Sequence, residues 1–500
     1  MRNIFLIVLV AFSTGVIGQT NKEVAEKAAS TISSEDMSKH LHIIAADEYQ
    51  GRETGKEGQK MAKDYLINYF KELQFDKSPN GTYEQVFPLV EQLSNGITLK
   101  IGETLFKMNK DFYVRPDIWP NVKINNQVLF AGYGVESDYK DLDVKDNVVV
   151  ILADNSDKID QEWTTADKVK LAKEKGAKVV LLHTEKFEKT LEKYEHYFSK
   201  PRTDLAENID KKEFLPILNI GNSILNSVCS ANGVKLKKYR KKMVLKEQKT
   251  TQIELLINKE TNELFGENVL AYLPGTEFPN EVIIITAHYD HIGSEGELVF
   301  NGADDDGSGT VALMELAQAF KTAADNGNGP RRSVLFMPVS GEEKGLLGSE
   351  YYANNPIFPL ENTVANLNID MIGRLDEAHE DNPNYVYLIG SDKLSTDLHE
   401  VSEEMNALNT KLELDYTFND ENDPNRFYYR SDHYNFAKNS IPVIFYFCGV
   451  HEDYHKATDT VDKIDFDKME KITKLVFYTA WELANRDERI VVDKDPEEKK

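Results

Sequence analysis

The sequence contains little cysteine, no long apolar run beyond its N-terminus and few basic residues relative to acidic ones. Cys229 and Cys448 are the only cysteines in 500 residues, so disulfide bonds are not the framework of the fold, and we expect both to be buried. No run after the N-terminus is long enough to be a membrane span. Lysine and arginine number 59 against 84 acidic residues. The net charge of −25 argues against nucleic acid or an anionic membrane as partner, because both need a basic face.

The N-terminus has the order of a secretory signal peptide. Arg2 precedes the apolar stretch 4–12, and small residues follow up to Gly18. This stretch is too short to cross a bilayer, and a polar segment begins at Gln19. A buried N-terminal helix is the alternative interpretation. We expect residues 1–18 to direct export, either to a periplasm or out of the cell.

The rest of the chain divides into three zones and a tail. From 34 to 75, apolar residues recur at three- and four-residue spacing, which predicts a helix with a buried face. Between 96 and 256, short β-rich runs alternate with charged turns, which predicts a separate compact domain. From 257 to 488, apolar strands alternate with helices, the pattern of βαβ units around a largely parallel sheet. Residues 489–500 are predicted to be a disordered tail.

Polar side chains follow several apolar strands of the third zone. In chain order they are His288, Asp290, His291, Glu342, Glu343, Asp370, His451 and His455. In an open parallel sheet, ligands bind outside the carboxyl ends of the strands. We therefore expect these side chains to converge.

The segment Gly-Ala-Asp-Asp-Asp-Gly-Ser-Gly at 302–309 lies between two of these strands and precedes an amphipathic helix. Asp304, Asp305 and Asp306 repel one another at the helix start, and a divalent cation would relieve that repulsion. An N-capping loop or a calcium loop is an equally open interpretation of this motif alone. Histidines and carboxylates without thiolates suit a catalytic zinc better, since calcium does not need imidazole.

Five segments together resemble the co-catalytic di-zinc aminopeptidases, a family that includes glutamate carboxypeptidases and transferrin-receptor relatives. They are Ala287-His288-Tyr289-Asp290, 302–309, Gly341-Glu342-Glu343, Asn368-Ile369-Asp370-Met371 and 454–460. The resemblance implies an α/β zinc exopeptidase fold, with a mixed, mostly parallel sheet flanked by helices. It also implies that 19–95 and 257–488 form one catalytic domain, with a protease-associated domain inserted at 96–256.

The resemblance further implies a role for each residue of the site. His288 and Asp370 would bind one Zn²⁺, Glu343 and His455 would bind a second, and Asp305 would bridge the two ions. Asp290 would orient His288, and Glu342 would be the general base and acid. Asp304 and Asp306 are expected to shape the loop, and Arg430, Ser431 and Asp432 are candidate pocket residues. His291, His433 and His451 are not expected to bind metal, because the ligand set is already filled.

The implied activity is the removal of N-terminal residues from peptides by an exported zinc aminopeptidase. A carboxypeptidase or dipeptidase on the same scaffold is the nearest alternative, and it would need Arg426 or Arg430 to hold the substrate carboxylate. A glutaminyl cyclase is disfavoured because the inserted domain is not expected in that branch. A receptor-like protein without catalysis is disfavoured because the five ligands and Glu342 are all present. Nothing in the sequence indicates an oligomeric state.

Overall fold

The computed structural model describes residues 22–114, 122–157, 159, 163–198, 200–209, 215–245 and 248–494; the predicted signal peptide lies outside them. The chain forms two compact units. The split unit comprises the residues up to Pro88 and from Phe265 onward, and the inserted unit is Leu89–Leu264. These boundaries fall within two long strands, Glu84–Ile101 and Thr251–Val269, and the predicted boundaries at 95/96 and 256/257 lie in the same strands. None of the helices in the described ranges is long and apolar enough to cross a membrane.

A seven-stranded sheet forms the centre of the split unit. Its strands are β1 (Ala271–Leu273), β2 (Phe278–His288), β3 (Arg332–Val339), β4 (Thr363–Ile369), β5 (Tyr385–Ile389), β6 (Glu413–Asp415) and β7 (Val443–Phe447). They lie in the order β1-β3-β2-β4-β7-β5-β6. Strands β3, β2, β4 and β7 are parallel, whereas β1 is antiparallel to β3 and β5 is antiparallel to β7. The prediction of a mixed, mostly parallel sheet is confirmed.

Helices cover both faces of this sheet. They are α1 (Ser34–Ile44), α2 (Glu57–Glu72), α3 (Gly309–Asp325), α4 (Leu347–Asn354), α5 (Thr396–Met405), α6 (His433–Ala437) and α7 (Phe466–Asn485), and residues 22–29 are also helical. Ile283 and Ile285 of β2 pack in one apolar cluster with residues of α1, α2, α3 and α7. Ile284, between them, packs in another with Tyr352 of α4 and Phe436 of α6. Burial on both faces explains why β2 is a continuous apolar run.

The segment predicted to be helical from 34 to 75 is two helices separated by a turn. The turn Asp47–Arg52 includes Gly51 in the left-handed region, at a φ of 66°. A Cβ atom added at Gly51 would meet the carbonyl oxygen of Gly293 at 2.2 Å. A glycine is therefore required where the turn approaches the segment that follows β2.

The beginning of the predicted tail packs on the split unit. Ile490 is buried, and the Arg489 guanidinium donates hydrogen bonds to the carbonyl oxygens of Glu361 and Thr363. The backbone N–H of Asp493 donates to the Leu394 carbonyl. These contacts hold residues 489–494, which the sequence predicts to be disordered, and 495–500 lie outside the described residues.

The inserted unit has its own sheet and helices. Its strands are Glu84–Ile101, Thr104–Phe106, Phe112–Tyr113, Val122–Phe130, Val148–Leu152, Val179–His183, Arg202–Leu205, Ile217–Ile220 and Thr251–Val269. Its helices are Glu136–Tyr139, Thr165–Glu174, Phe187–Phe198, Ala206–Ile209, Asn222–Ala231 and Leu236–Lys242. Cys229 is buried in this unit and Cys448 in the split unit, both unpaired, as expected for small hydrophobic residues. That this unit is a protease-associated domain stays a prediction.

Candidate metal centre

The carboxyl ends of β2, β3, β4 and β7 bring the predicted ligands together. His288 is the last residue of β2, and Asp370 directly follows β4. Glu343 follows β3, and His455 lies in the loop after β7. Parallel neighbouring strands end at one edge of the sheet, which is why residues distant in sequence meet there.

Asp305 lies between two groups of ligand atoms. Its Oδ1 is 3.2 Å from His288 Nε2, and its Oδ2 is 3.0 Å from His455 Nε2. On the first side, His288 Nε2 is 3.6 Å from Asp370 Oδ1. On the second side, His455 Nε2 is 3.3 Å from Glu343 Oε2. The two oxygens of one carboxylate thus face two separate groups, which is the arrangement that a bridging ligand requires.

Several buried polar atoms at this point have no hydrogen-bond partner among the described residues. They are Asp305 Oδ2, Glu343 Oε1, His455 Nε2 and both ring nitrogens of His291. An unsatisfied buried polar group costs about 1–3 kcal/mol, and a bound cation would satisfy these atoms together. Imidazole and carboxylate without thiolate are the donors of catalytic zinc sites. The residues present therefore fit a metal of this kind.

The carboxylates of the centre favour positive charge at its histidines. Burial alone would lower the pKa of His455, but Asp305 and Glu343 raise it to about 10. Burial likewise opposes a charge on His288, yet the surrounding carboxylates, Asp370 above all, raise its pKa well above the usual value. Surroundings that favour a proton on a buried imidazole also favour a metal cation in the same place.

Asp306 is held by the backbone. Its carboxylate accepts hydrogen bonds at 2.8–3.2 Å from the N–H groups of His288, Gly309 and Met371. One of its oxygens also lies near ligand atoms of His288 and Asp370. Because three backbone donors already occupy the carboxylate, Asp306 fixes the loop and the ends of two strands.

Asp304 is held on the opposite side of the same loop. Its Oδ1 accepts a hydrogen bond from Gly373 N at 2.6 Å, and its Oδ2 lies 3.3 Å from His451 Nε2. Asp459 accepts hydrogen bonds from the backbone N–H of both Asp304 and Asp305. The loop after β7, which carries His455, is thereby tied to the loop of the three aspartates. His451 lies beside Asp304 without a hydrogen bond between Nε2 and Oδ2, and no contact with Asp305 within 4 Å is seen among the described residues.

Glu342 lies beside the ligands with its carboxyl group facing the centre. Its Oε2 is 4.0 Å from His288 Nε2, and its backbone N–H donates to Asp290 Oδ1 at 3.3 Å. Burial, and then the neighbouring carboxylates of Glu343 and Asp370, raise the pKa of Glu342 well above its usual value. A raised pKa makes the carboxylate a stronger base than an ordinary glutamate, which suits a group that must take up a proton and then return it.

Asp290 supports His288 through its main chain as well as its side chain. His288 Nδ1 lies 3.0 Å from the Asp290 carbonyl oxygen and 3.8 Å from Asp290 Oδ1. The Thr54 hydroxyl donates to Asp290 Oδ2 at 2.6 Å. The nearer partner of the ring is the carbonyl, whereas the sequence predicts an orienting role for the carboxylate.

Ser431 contacts a predicted ligand. Its hydroxyl donates to Asp370 Oδ2 at 2.6 Å and accepts a hydrogen bond from Asn368 Nδ2 at 2.8 Å. This leaves Asp370 Oδ1 directed towards His288. The neighbouring Asp432 accepts a hydrogen bond from the Ser349 hydroxyl, and burial raises its pKa to about 7. Ser431 therefore holds the ligand Asp370, whereas Asp432 is a buried carboxyl group bonded to Ser349.

Sequence reasoning missed the contribution of Arg52. Its guanidinium is fully buried and donates hydrogen bonds to four carbonyl oxygens, those of Ile44, Tyr289, Asn301 and Gly302. It connects the segment after β2 to the start of the aspartate loop. The only signal in the sequence is an arginine within Gly51-Arg52-Glu53-Thr54-Gly55.

A cavity opens beside the centre. It is lined by Asp305, Glu342, Asp370, Met371, Phe427, Arg430, Phe445, Phe447, Val450 and Tyr454. The Arg430 guanidinium lies 4.8 Å from the centre of the Phe427 ring, and its Nη2 is 3.4 Å from the Tyr454 hydroxyl. Arg426 lies over the Tyr429 ring and lines a different cavity. Of the two arginines that could hold a substrate carboxylate, Arg430 is the one beside the centre.

His433 packs in the core rather than at the centre. It begins α6, and its ring stacks on Phe445 with 4.7 Å between the ring centroids. Burial lowers the pKa of His433 to about 3. The imidazole is therefore neutral at physiological pH.

This buried neutral histidine predicts a stability difference that depends on pH. In the unfolded chain, His433 becomes protonated below its ordinary pKa of about 6.5. In the folded chain, it stays neutral until the pH approaches about 3, so protonation favours the unfolded state between these values. We expect His433→Phe to gain stability over the unsubstituted protein as the pH falls from 7 to 5, by up to about 1.4 kcal/mol per pH unit. Denaturant unfolding of both proteins at matched pH measures it, and a difference independent of pH would contradict the prediction.

The C-terminal part of the split unit matches a known family. Residues 268–480 match the model of peptidase family M28. This part of the chain belongs to that family. The M28 region contains all five predicted metal ligands as well as Glu342.

Relatives of the M28 region include a "Probable zinc metalloprotease" of Pyrenophora tritici-repentis (strain Pt-1C-BFP), 29% identical over 266 residues, which cover 43% of this chain and 51% of the relative. A "Probable leucine aminopeptidase" of Trichophyton verrucosum (strain HKI 0517) is 28% identical over 235 residues, 46% of this chain and 59% of the relative. The chain spans about half the length of these curated relatives. An aminopeptidase from Aneurinibacillus sp. strain AM-1 shares the fold, with a TM-score of 0.58 and 19% identity over 94% of this chain and 98% of that chain.

Proposed function

We propose that the protein is an exported aminopeptidase that uses two zinc ions to hydrolyse the N-terminal bond of peptides. The observation that carries this proposal is the position of Asp305, whose two oxygens face two groups of histidine and carboxylate ligands. His288 and Asp370 would hold one ion, and Glu343 and His455 the other. The match of residues 268–480 to the M28 model and a relative described as a "Probable zinc metalloprotease" support zinc as the metal. When bound, zinc would lower the pKa of water and polarise the scissile carbonyl.

Glu342 would move the proton in this reaction. Its carboxylate would take a proton from the attacking water and then deliver it to the nitrogen of the leaving amine, so that the amine departs neutral. The raised pKa of Glu342 suits this double role, because the group must be a base first and an acid afterwards. Asp290 and Ser431 would hold His288 and Asp370 in place during the cycle.

The cavity favours an apolar residue at the N-terminus of the substrate. Phe427, Phe445 and Phe447 line it together with the carboxylates of the centre. The phenylalanine rings would contact an apolar side chain of the substrate, and nearby carboxylates would take the free ammonium group. The relative described as a "Probable leucine aminopeptidase" supports this preference. We expect turnover of leucyl and phenylalanyl anilides and none of their N-acetylated forms; the reverse result would contradict an aminopeptidase.

A dipeptidase is the second candidate, because Arg430 borders the same cavity. In a dipeptidase, this guanidinium would bind the free carboxylate of a two-residue substrate. For an aminopeptidase, we expect Arg430→Met to change kcat/KM by less than about tenfold, or 1.4 kcal/mol, for both leucyl anilide and a dipeptide. Lys438→Met, an exposed cation on another cavity, is the control. A larger loss confined to the dipeptide would favour the dipeptidase.

The export signal belongs to the same proposal. The segment 1–18 has the charged, apolar and small-residue order of such signals. We therefore place the enzyme in a periplasm or outside the cell.

A further inference from the structure

A histidine outside the implied ligand set lies at the metal centre. His291 is fully buried, three residues after His288. Its Nδ1 is 2.9 Å from Glu343 Oε1 and 3.9 Å from Asp305 Oδ2. These are the same two carboxylates that His455 faces. Two imidazoles and two carboxylates thus surround one point, whereas the sequence indicates a single imidazole there.

We propose that His291 is a direct ligand of the ion held by Asp305, Glu343 and His455. This inference rests on the proposed function. Neither ring nitrogen of His291 has a hydrogen-bond partner among the described residues, and Glu343 Oε1 has none either. His291 Nδ1 and Glu343 Oε1 therefore lie 2.9 Å apart without the geometry of a hydrogen bond. Donor atoms directed at a shared third atom are arranged in this way, and zinc accepts imidazole nitrogen and carboxylate oxygen together.

The ring of His291 is held in position without the use of its nitrogens. Its backbone N–H donates to the Arg52 carbonyl at 3.2 Å. Its ring packs against Gly302, where an added Cβ atom would lie 2.5 Å from His291 Cγ. The ring also meets that of His455 nearly edge-on, at 5.8 Å between centroids and 72° between planes. Packing fixes the imidazole and leaves its nitrogens available, as a preorganised ligand requires.

A fourth protein ligand would make the two ions unequal. The ion at His288 and Asp370 would have one imidazole, and the ion at Glu343 and His455 would have two. The second ion should then be retained more tightly, so that a chelator removes the two ions of the intact enzyme in separate steps. Asp305 would remain a ligand of both ions and would not contribute to this difference.

Cobalt substitution of the complete protein tests coordination directly. We expect cobalt-loaded His291→Cys to show a thiolate-to-cobalt charge-transfer band that the unsubstituted protein lacks, because a thiolate at position 291 would bind the ion. Full cobalt occupancy without that band would overturn the inference. The buried Cys229 and Cys448 are present in both proteins and serve as an internal control.

Zinc affinity provides a second measurement that does not depend on the cysteine variant. In competition with a chromophoric chelator, we expect His291→Ala and His291→Gln to bind the tighter ion at least about 100-fold more weakly, with the other ion less affected. Gln keeps a polar group that could hydrogen-bond to Glu343 but has no imidazole. Restoration of affinity by Gln would assign a hydrogen-bonding role and overturn the ligand role, as would unchanged affinity in both variants.

Two controls separate this inference from the proposed function. His433→Phe removes a buried histidine away from the centre and should keep both affinities. If the unsubstituted protein binds no zinc, the proposed function fails. If it binds two ions and the His291 variants bind them equally well, the proposed function stands and His291 is not a ligand.

Discussion

Replacement of Glu342 by glutamine should leave zinc bound and lower turnover by about 10²–10⁴-fold, the usual contribution of general acid–base catalysis. Its carboxyl group faces the centre, yet Glu343 is the adjacent residue that lies within 3.3 Å of His455. Glutamine keeps the size of the side chain and cannot accept the proton of the attacking water. The ligands stay unchanged, so kcat should fall while metal content does not.

Zinc content, turnover and the affinity of a competitive metal-binding inhibitor should be measured on one sample of Glu342→Gln. We expect zinc content and inhibitor affinity to match those of the unsubstituted protein. Glu297→Gln, in an exposed turn, is the matched control and should be fully active. Near-normal turnover, or a loss of zinc in parallel with activity, would show that Glu342 has a different role.

Alanine at Asp305 should damage metal binding more than alanine at either of two other ligands, His288 and Glu343. Because the two Asp305 oxygens face different ligand groups, its removal weakens both sites, whereas each of the other substitutions weakens mainly one. We expect zinc per chain to fall below one ion in Asp305→Ala, and activity to fall by about 10³-fold or more. Elemental analysis after dialysis measures the metal.

Asp325→Ala, at the exposed end of α3, tests whether loss of any aspartate in this region has the same effect, and it should retain both ions. Retention of two ions by Asp305→Ala would instead transfer the bridging role to Asp304 or Asp306. The backbone hydrogen bonds to Asp306 make that outcome unexpected.

The convergence of the polar residues was predictable because each follows an apolar run in a parallel sheet. His288, Glu343 and Asp370 follow β2, β3 and β4, and the sheet order places these three strands side by side. The ordering of β5 and β6 was not predictable, since pairing between distant strands leaves no local pattern in sequence. The role of each ligand comes from the resemblance to a family, because spacing alone does not distinguish a bridging carboxylate from a terminal one.

Two residues show what pattern reasoning could not supply. The sequence predicts that His291 is not a ligand because the implied ligand set is full without it, and a count of ligands does not show which way a ring points. The role of Arg52 has no local pattern, because the carbonyl groups that it satisfies belong to segments far away in sequence. Both depend on tertiary contacts, which periodicity and spacing do not encode.

The hydrogen bonds of Arg52 also make the shape of the aspartate loop depend on both parts of the split unit. Arg52 and its acceptors at Asn301 and Gly302 are separated in sequence by the whole of Leu89–Leu264. Contacts between such distant segments form slowly, because a long stretch of chain must be closed first. The aspartate loop therefore reaches its final shape only after the two parts of the split unit have met.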